Sequence, residues 1–240
     1  PIGFRVSGEA TGVGSVSNII TVVTLSSSGA VADFGDLNAA QGRAGALSST
    51  TRGIIGGGLG ANGSTKTDTI QYFTIGTSGS GSDFGNLSVG RTYITASSNI
   101  TRGIFAGGNA ASDGASKDVM DYITIASAGN ATDFGNLSAV SERSTSTSST
   151  TRMIIGGGYR SSAAINIMEY VTIGSTGNVT DFGDLSVARQ NLDAVSSNTR
   201  SVFAGGTSSN VIDYVTTAST GNASDFGDLT TSSRFFADCS

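Results

Sequence analysis

The chain has 240 residues and a net charge of −5, with 35 Gly, one Pro, one Cys, no His, no Trp and only 13% charged residues. That balance excludes a general nucleic-acid binder, which needs a basic field. It also excludes an intrachain disulfide framework, and no apolar stretch reaches the roughly 18 residues that a membrane helix requires.

Abundant Gly, Ser and Thr would suit a disordered chain, but the apolar residues gather in short β-branched runs that a disordered chain lacks. The start at Pro1 rather than Met reads as a processed chain or a segment of a longer one. Residues 4–8, 20–25 and 32–37 are expected to be three strands, the last carrying Asp-Phe-Gly at Asp33. The same motif, followed by Asn or Asp and then Leu, returns at Asp83, Asp133, Asp181 and Asp225, in steps of 50, 50, 48 and 44 residues. A period of this length marks a repeat architecture.

The units run from 38 to 87, 88 to 137, 138 to 185 and 186 to 229. Within each, an Arg-containing segment with small residues predicts a first strand. A second begins at Arg52, Arg102, Arg152 or Arg200 and ends in Gly-Gly. The third strands are predicted at 70–75, 119–125, 167–173 and 211–216, and the fourth carries Asp-Phe-Gly. Val, Ile, Tyr, Phe and Thr bounded by Gly, Asn and Ser favour strands, and no segment has a sustained helical period. Four antiparallel strands per unit make one blade, so the fold class is all-β: a single five-bladed β-propeller. The fifth blade would join 230–240 to 1–37, with 234–240 as first strand beside 4–8, closing the ring and removing its free edges.

The spacings locate the variation. From the motif Asp to the next Thr-Arg arginine is always 19 residues, and from Tyr72, Tyr122, Tyr170 or Tyr214 to the next motif Asp is always 11. The path from Gly58, Gly108, Gly158 and Gly206 to its Tyr is 14, 14, 12 and 8 residues. One loop per blade therefore varies while the framework is held, and recognition belongs on such loops. The candidate binding residues there are Asn62, Lys66, Asp113, Lys117, Tyr159 and Arg160.

A second candidate site is a ring of arginines near one mouth of the channel: Arg43, Arg91, Arg143, Arg189 and Arg234. Guanidinium groups there could grip carboxylate or phosphate bidentately, or simply pair with acidic residues of adjacent blades. Arg52, Arg102, Arg152 and Arg200 are expected to hold neighbouring backbone or the motif Asp set. In Asp-Phe-Gly, Phe should pack between blades, Gly permit the turn and Asp bond local amides; the alternative is five carboxylates around a cation. The protein-kinase metal motif shares the letters but uses one copy beside a catalytic loop. Cys239 is expected to fill a small buried space. Without His, and with few non-repeated carboxylates, the sequence favours no enzyme, cofactor or metal.

The diglycines at Gly57, Gly107, Gly157 and Gly205, each followed by Gly, together with Tyr72, Tyr122, Tyr170 and Tyr214, resemble the kelch repeat of β-propellers. Phe34, Phe84, Phe134, Phe182 and Phe226 look like stand-ins for the usual kelch Trp. The wording of residues 130–138 is similar to repeats in virion structural and tail-fibre-like proteins of marine bacteriophages, cyanophages especially. That resemblance implies a virion component that displays a propeller. Its expected partners are other virion proteins or a host cell-surface glycan or protein, with no nucleic acid and no membrane insertion. The alternatives are a capsid or tail decoration protein without a host ligand, and a kelch-like interaction domain of an extracellular or cytoplasmic cellular protein.

Overall fold

A computed structural model describes residues 2–9, 16–26, 29–110 and 114–234, with 7–9 as backbone only. Its regular structure is all β, with no helix among the described residues, and five small antiparallel sheets stand in a ring as a five-bladed β-propeller.

The first full blade is Gly45–Ser48, Arg52–Gly56, Thr69–Thr74 and Ser82–Asn86, paired in that order from the axis outward. The second is Thr95–Ser98, Arg102–Ala106, Lys117–Thr124 and Thr132–Ser141. The third is Thr145–Ser148, Arg152–Gly156, Ile167–Thr172 and Thr180–Asp184. The fourth is Asp193–Ser196, Arg200–Ala204, Val211–Thr216 and Ser224–Asp228. The fifth contributes Ile2–Glu9, Val16–Thr24 and Ala32–Asp36. Its expected inner strand falls on 234–240, of which 235–240, including Cys239, lie outside the described residues. The chain enters that position as the other blades do. Gly206 N donates to Ser233 O at 2.8 Å, as Gly58 N does to Arg91 O at 2.6 Å and Gly108 N to Ser141 O at 2.7 Å.

In the first three blades the second strands are buried on both faces between neighbouring blades, hence their unbroken apolar runs such as Ile54 and Ile55. The inner strands line a cavity of about 640 Å³ that extends beside the fifth blade to Ile2, Phe4, Val6, Leu25, Phe73 and Ile75. They are laced together by serine hydroxyls: Ser98 Oγ donates to Ser48 O at 2.7 Å, Ser148 Oγ to Ser98 O at 2.7 Å, and Ser196 Oγ to Ser148 O at 2.8 Å. Small hydroxyl residues suit a narrow axis, where a larger side chain would fill the channel.

Asp-Phe-Gly is a β-bulge in the outer strand rather than a turn. Ile70 pairs with Gly85 and Gln71 with Asp83, so Phe84 is the extra residue. The bulge turns Phe84, Phe134 and Phe182 into the junctions with the next blade, where they are 2%, 2% and 1% exposed. Phe84 joins Ile123 and Ile125 of the second blade in one cluster, and Phe182 joins Phe203 and Val215 of the fourth. The motif glycine allows close approach: a Cβ on Gly85 would lie 2.4 Å from Gly129 O of the following blade. The junction from fourth to fifth blade differs, with Phe226 55% and Val31 62% exposed. The motif aspartates are exposed on the outer strands, and only Asp225 shows a local bond among the described residues, accepting from Gly227 N at 3.0 Å.

The arginines that open the second strands brace the blades from outside. Arg52, Arg102 and Arg152 donate to Ile125 O, Ile173 O and Thr217 O of the next blade at 2.8, 3.0 and 2.9 Å. Each also lies over the Tyr of its own third strand, 4.2–4.5 Å from the ring centroid, as does Arg200 over Tyr214.

Candidate recognition face

The loops between second and third strands share one face with the connections that lead from an outer strand to the next inner strand. Leu59 N donates to Gly42 O at 2.6 Å and Tyr159 N to Glu142 O at 2.8 Å, so each loop is sewn to the entry of its own blade. The diglycine makes the sharp exit possible. Gly57 and Gly58 have φ of 69° and 92°, and a Cβ on Gly58 would meet Gly42 O at 2.4 Å.

The six loop candidates have different employments. Asn62 is exposed and organises its loop tip, with Oδ1 accepting from Ser64 N and Thr65 N at 3.1 and 2.8 Å. Lys66 Nζ donates to Asn109 Oδ1 and to Ala110 O, tying the first blade's loop to the second's. Lys117 opens the third strand of the second blade, its backbone N donating to Gly108 O at 2.7 Å. Asp113 lies outside the described residues. Tyr159–Arg160 pairs with Ala163–Ala164 in a small two-stranded sheet. Arg160 is turned inward, donating to Glu169 Oε2 at 2.7 Å and Ser138 Oγ at 2.9 Å.

The five arginines of the expected ring do not share one position. Counted from the motif Asp, they fall at offsets of 10, 8, 10, 8 and 9. The offset of eight holds Gln41, Arg91, Ser141 and Arg189, whose side chains point into the blade. Arg91 and Arg189 are 0% and 1% exposed, bonded to Asp121 and Asp213 of their own blades. Arg91 also donates to Gly107 O and Val119 O at 2.7 and 2.8 Å. Desolvation holds both guanidiniums below their ordinary pKa, and the facing aspartates oppose that shift. The first blade solves the same problem without charge: Gln71 Nε2 donates to Gln41 Oε1 at 2.8 Å, and Gln41 Nε2 to Gly57 O at 2.8 Å. In the third blade Ser141 is too short to reach Glu169, and Arg160 supplies the guanidinium from the loop. Each of these four blades thus matches its buried third-strand polar group, Gln71, Asp121, Glu169 or Asp213, though Asp121 and Asp213 are met in the same way.

The offset of ten holds Arg43, Tyr93, Arg143 and Asn191, and these form a collar at the channel mouth. All four adopt the left-handed conformation, with φ of 54°, 57°, 60° and 55°. Outside Gly and Asn this costs about 1 kcal/mol or more per residue. Their backbones join hand to hand across blades: Tyr93 N to Arg43 O at 3.0 Å, Arg143 N to Tyr93 O at 3.2 Å, and Asn191 N to Arg143 O at 3.0 Å. The side chains stack in a row. Arg43 and Arg143 lie 5.0 and 4.8 Å from the Tyr93 centroid, and Arg143 lies 5.3 Å from that of Tyr159. Arg43 also donates to Tyr93 Oη, and Arg143 to Gln190 Oε1 at 3.2 Å. Two cations within about 10 Å of each other repel by about 1 kcal/mol at intermediate dielectric, softened by Glu142, whose Oε1 is 3.3 Å from Arg143 Nε. Arg234, exposed and at an offset of nine, belongs to neither set.

Sequence reasoning missed Tyr93, Glu142, Gln190 and Asn191. For Tyr93 and Asn191 the signal lay in the offset of ten that they share with Arg43 and Arg143, whereas Glu142 and Gln190, at an offset of nine, carry no such signal. Among the described residues no three of His, Cys, Asp and Glu come together as a metal site, so the motif aspartates do not converge.

No protein-family model matches the chain, and no curated protein matches it. The fold therefore defines the class: a five-bladed β-propeller, an architecture compatible with a binding or protein-interaction module.

Proposed function

We propose that this propeller is a non-enzymatic binding module of a bacteriophage particle, presenting the loop-and-collar face to a protein or a cell-surface glycan. One observation carries the reading: the framework is repeated blade by blade, while loop length and collar chemistry change on a single face. Rigid scaffold with variable loops is the division of labour that recognition uses. The kelch-like glycine and tyrosine pattern and the phage-like wording of the repeats support the virion setting. The buried carboxylates Asp121, Glu169 and Asp213 are each engaged by an arginine, which supports a binding role over acid–base chemistry.

The test is direct. The purified chain, fluorescently labelled, is applied to host-range panels of bacterial cells, to a glycan array and to the virion proteins encoded beside it. Saturable binding that falls at least tenfold when Arg43, Tyr93, Arg143 and Tyr159 are replaced together, with the unfolding midpoint kept, supports the proposal. Absence of binding to all three would sink it.

A further inference from the structure

We infer that the propeller is a clamp whose ring opens and closes at a single seam, between the fourth and fifth blades, while the other four junctions stay locked. The locked junctions share one clasp, in which two amides of the turn before an outer strand reach back to the preceding blade. Gly129 N and Ala131 N donate to Phe84 O and Asn86 O at 2.6 and 2.8 Å, and Gly177 N and Val179 N to Phe134 O and Asn136 O at 2.7 and 3.0 Å. The fifth blade is held to the first in the same way: Gly79 N and Gly81 N donate to Phe34 O and Asp36 O at 3.0 and 2.6 Å. Phe4, Phe34 and Phe73 meet edge to face at that junction.

Between the fourth and fifth blades the same parts stand apart. Gly29 and Val31 hold the places of Gly177 and Val179, yet among the described residues neither donates to Phe226 O or Asp228 O. A Cβ on Gly183 would lie 2.4 Å from Gly221 O of the following blade, whereas one on Gly227 would meet nothing within 4 Å. Phe134, Ile173 and Val179 pack together where the second and third blades meet. Their counterparts at the seam, Phe226, Leu25 and Val31, are 55%, 48% and 62% exposed. The seam therefore carries the apolar side chains of a closed junction and holds them in water, so closing it buries them as the other junctions do.

One part of the clasp is missing there. Asn86 N, Asn136 N and Asp184 N donate to the Oδ1 atoms of Asn130, Asn178 and Asn222 at 3.1, 3.0 and 3.0 Å. The matching position at the seam is Ala30. The fifth-to-first junction also lacks the asparagine, having Ser80, but it has the three-ring cluster instead. Apolar attraction without the clip leaves this junction the easiest in the ring to open, and two states of one element respond to any change that favours either.

Thiol labelling tests this on the whole chain, with Cys239→Ser as background. Val31→Cys puts a thiol at the seam and Val179→Cys puts one at the matching locked junction. Towards an aromatic disulfide reagent, the seam thiol should react at least tenfold faster than the locked one and at least tenfold slower than a cysteine peptide. Adding Ala30→Asn should slow it at least threefold further, since only a closed seam brings Asp228 N to that side chain. Labelling as slow as that of Val179→Cys means a fifth locked junction, and labelling as fast as the peptide, or unmoved by Ala30→Asn, means a seam that does not close. Each of these results overturns the inference. Amide exchange on the unaltered protein covers the case of a variant that fails to fold: Gly29 and Val31 should exchange at least tenfold faster than Gly177 and Val179, and equal rates overturn the inference as well.

Discussion

Replacing Asp121 with Asn isolates what the buried charge pair contributes. Arg91 and Asp121 are both fully buried. The substitution keeps the shape of the site, and Arg91 retains its bonds to Gly107 O and Val119 O at 2.7 and 2.8 Å. What is lost is the countercharge bonded to the desolvated Arg91 guanidinium. Breaking one side of a buried pair costs about 3–5 kcal/mol, whereas replacing both partners by a matched neutral pair is close to neutral. The first blade already displays such a pair in Gln41 and Gln71. Asp121→Asn should therefore lower stability by about 3–5 kcal/mol, an unfolding midpoint roughly 10 °C lower for a chain of this size. The double change Arg91→Gln with Asp121→Gln should recover all but about 1.5 kcal/mol, as coupled residues do in a mutant cycle. Urea unfolding followed by circular dichroism, with the slope checked for constancy, measures both. A loss below about 1 kcal/mol for the single variant, or a double variant no better than the single, would refute the reasoning.

Arg160→Ala should destabilise the fold by about 2–4 kcal/mol, because it leaves Glu169 buried without its guanidinium; a variant with unchanged midpoint and weakened ligand binding would return Arg160 to the recognition set. Phe134→Ala should cost about 3–5 kcal/mol, while Phe226→Ala, at a position 55% exposed, should cost under about 1 kcal/mol in the same thermal scans. Gly85→Ala should lower stability by about 2 kcal/mol or more, since its Cβ would sit 2.4 Å from Gly129 O, whereas Gly76→Ala, with nothing within 4 Å, should be nearly silent. Equal effects at the two glycines would mean that the blades part easily at the bulge.

Much of the architecture is legible in the order of residues because each blade is built from local, repeated instructions. Period, β-branched runs and turn residues are properties of neighbours along the chain, so blade number, strand order and the position of the variable loop could be read directly. The motif phenylalanines could be placed between blades for the same reason. The bulge that turns them there could not, since a register shift between Ile70 and Gln71 involves a partner strand.

The site was less accessible. Arg43 and Arg91 are the same residue type in the same segment of two repeats, two positions apart in register, yet Arg91 is fully buried against Asp121 while Arg43 lies at the channel mouth over Tyr93. Arg160 looks from its loop like a free ligand-binding cation and is in fact the third blade's substitute for a missing inner arginine. By itself, the sequence determined the repeated β framework and the face on which it varies, because backbone preference and apolar periodicity are decided within a few residues. Only the tertiary structure decided which arginines are structural and which face the channel mouth, because that depends on the carboxylate, carbonyl or ring that each guanidinium meets, as far as 73 residues away along the chain.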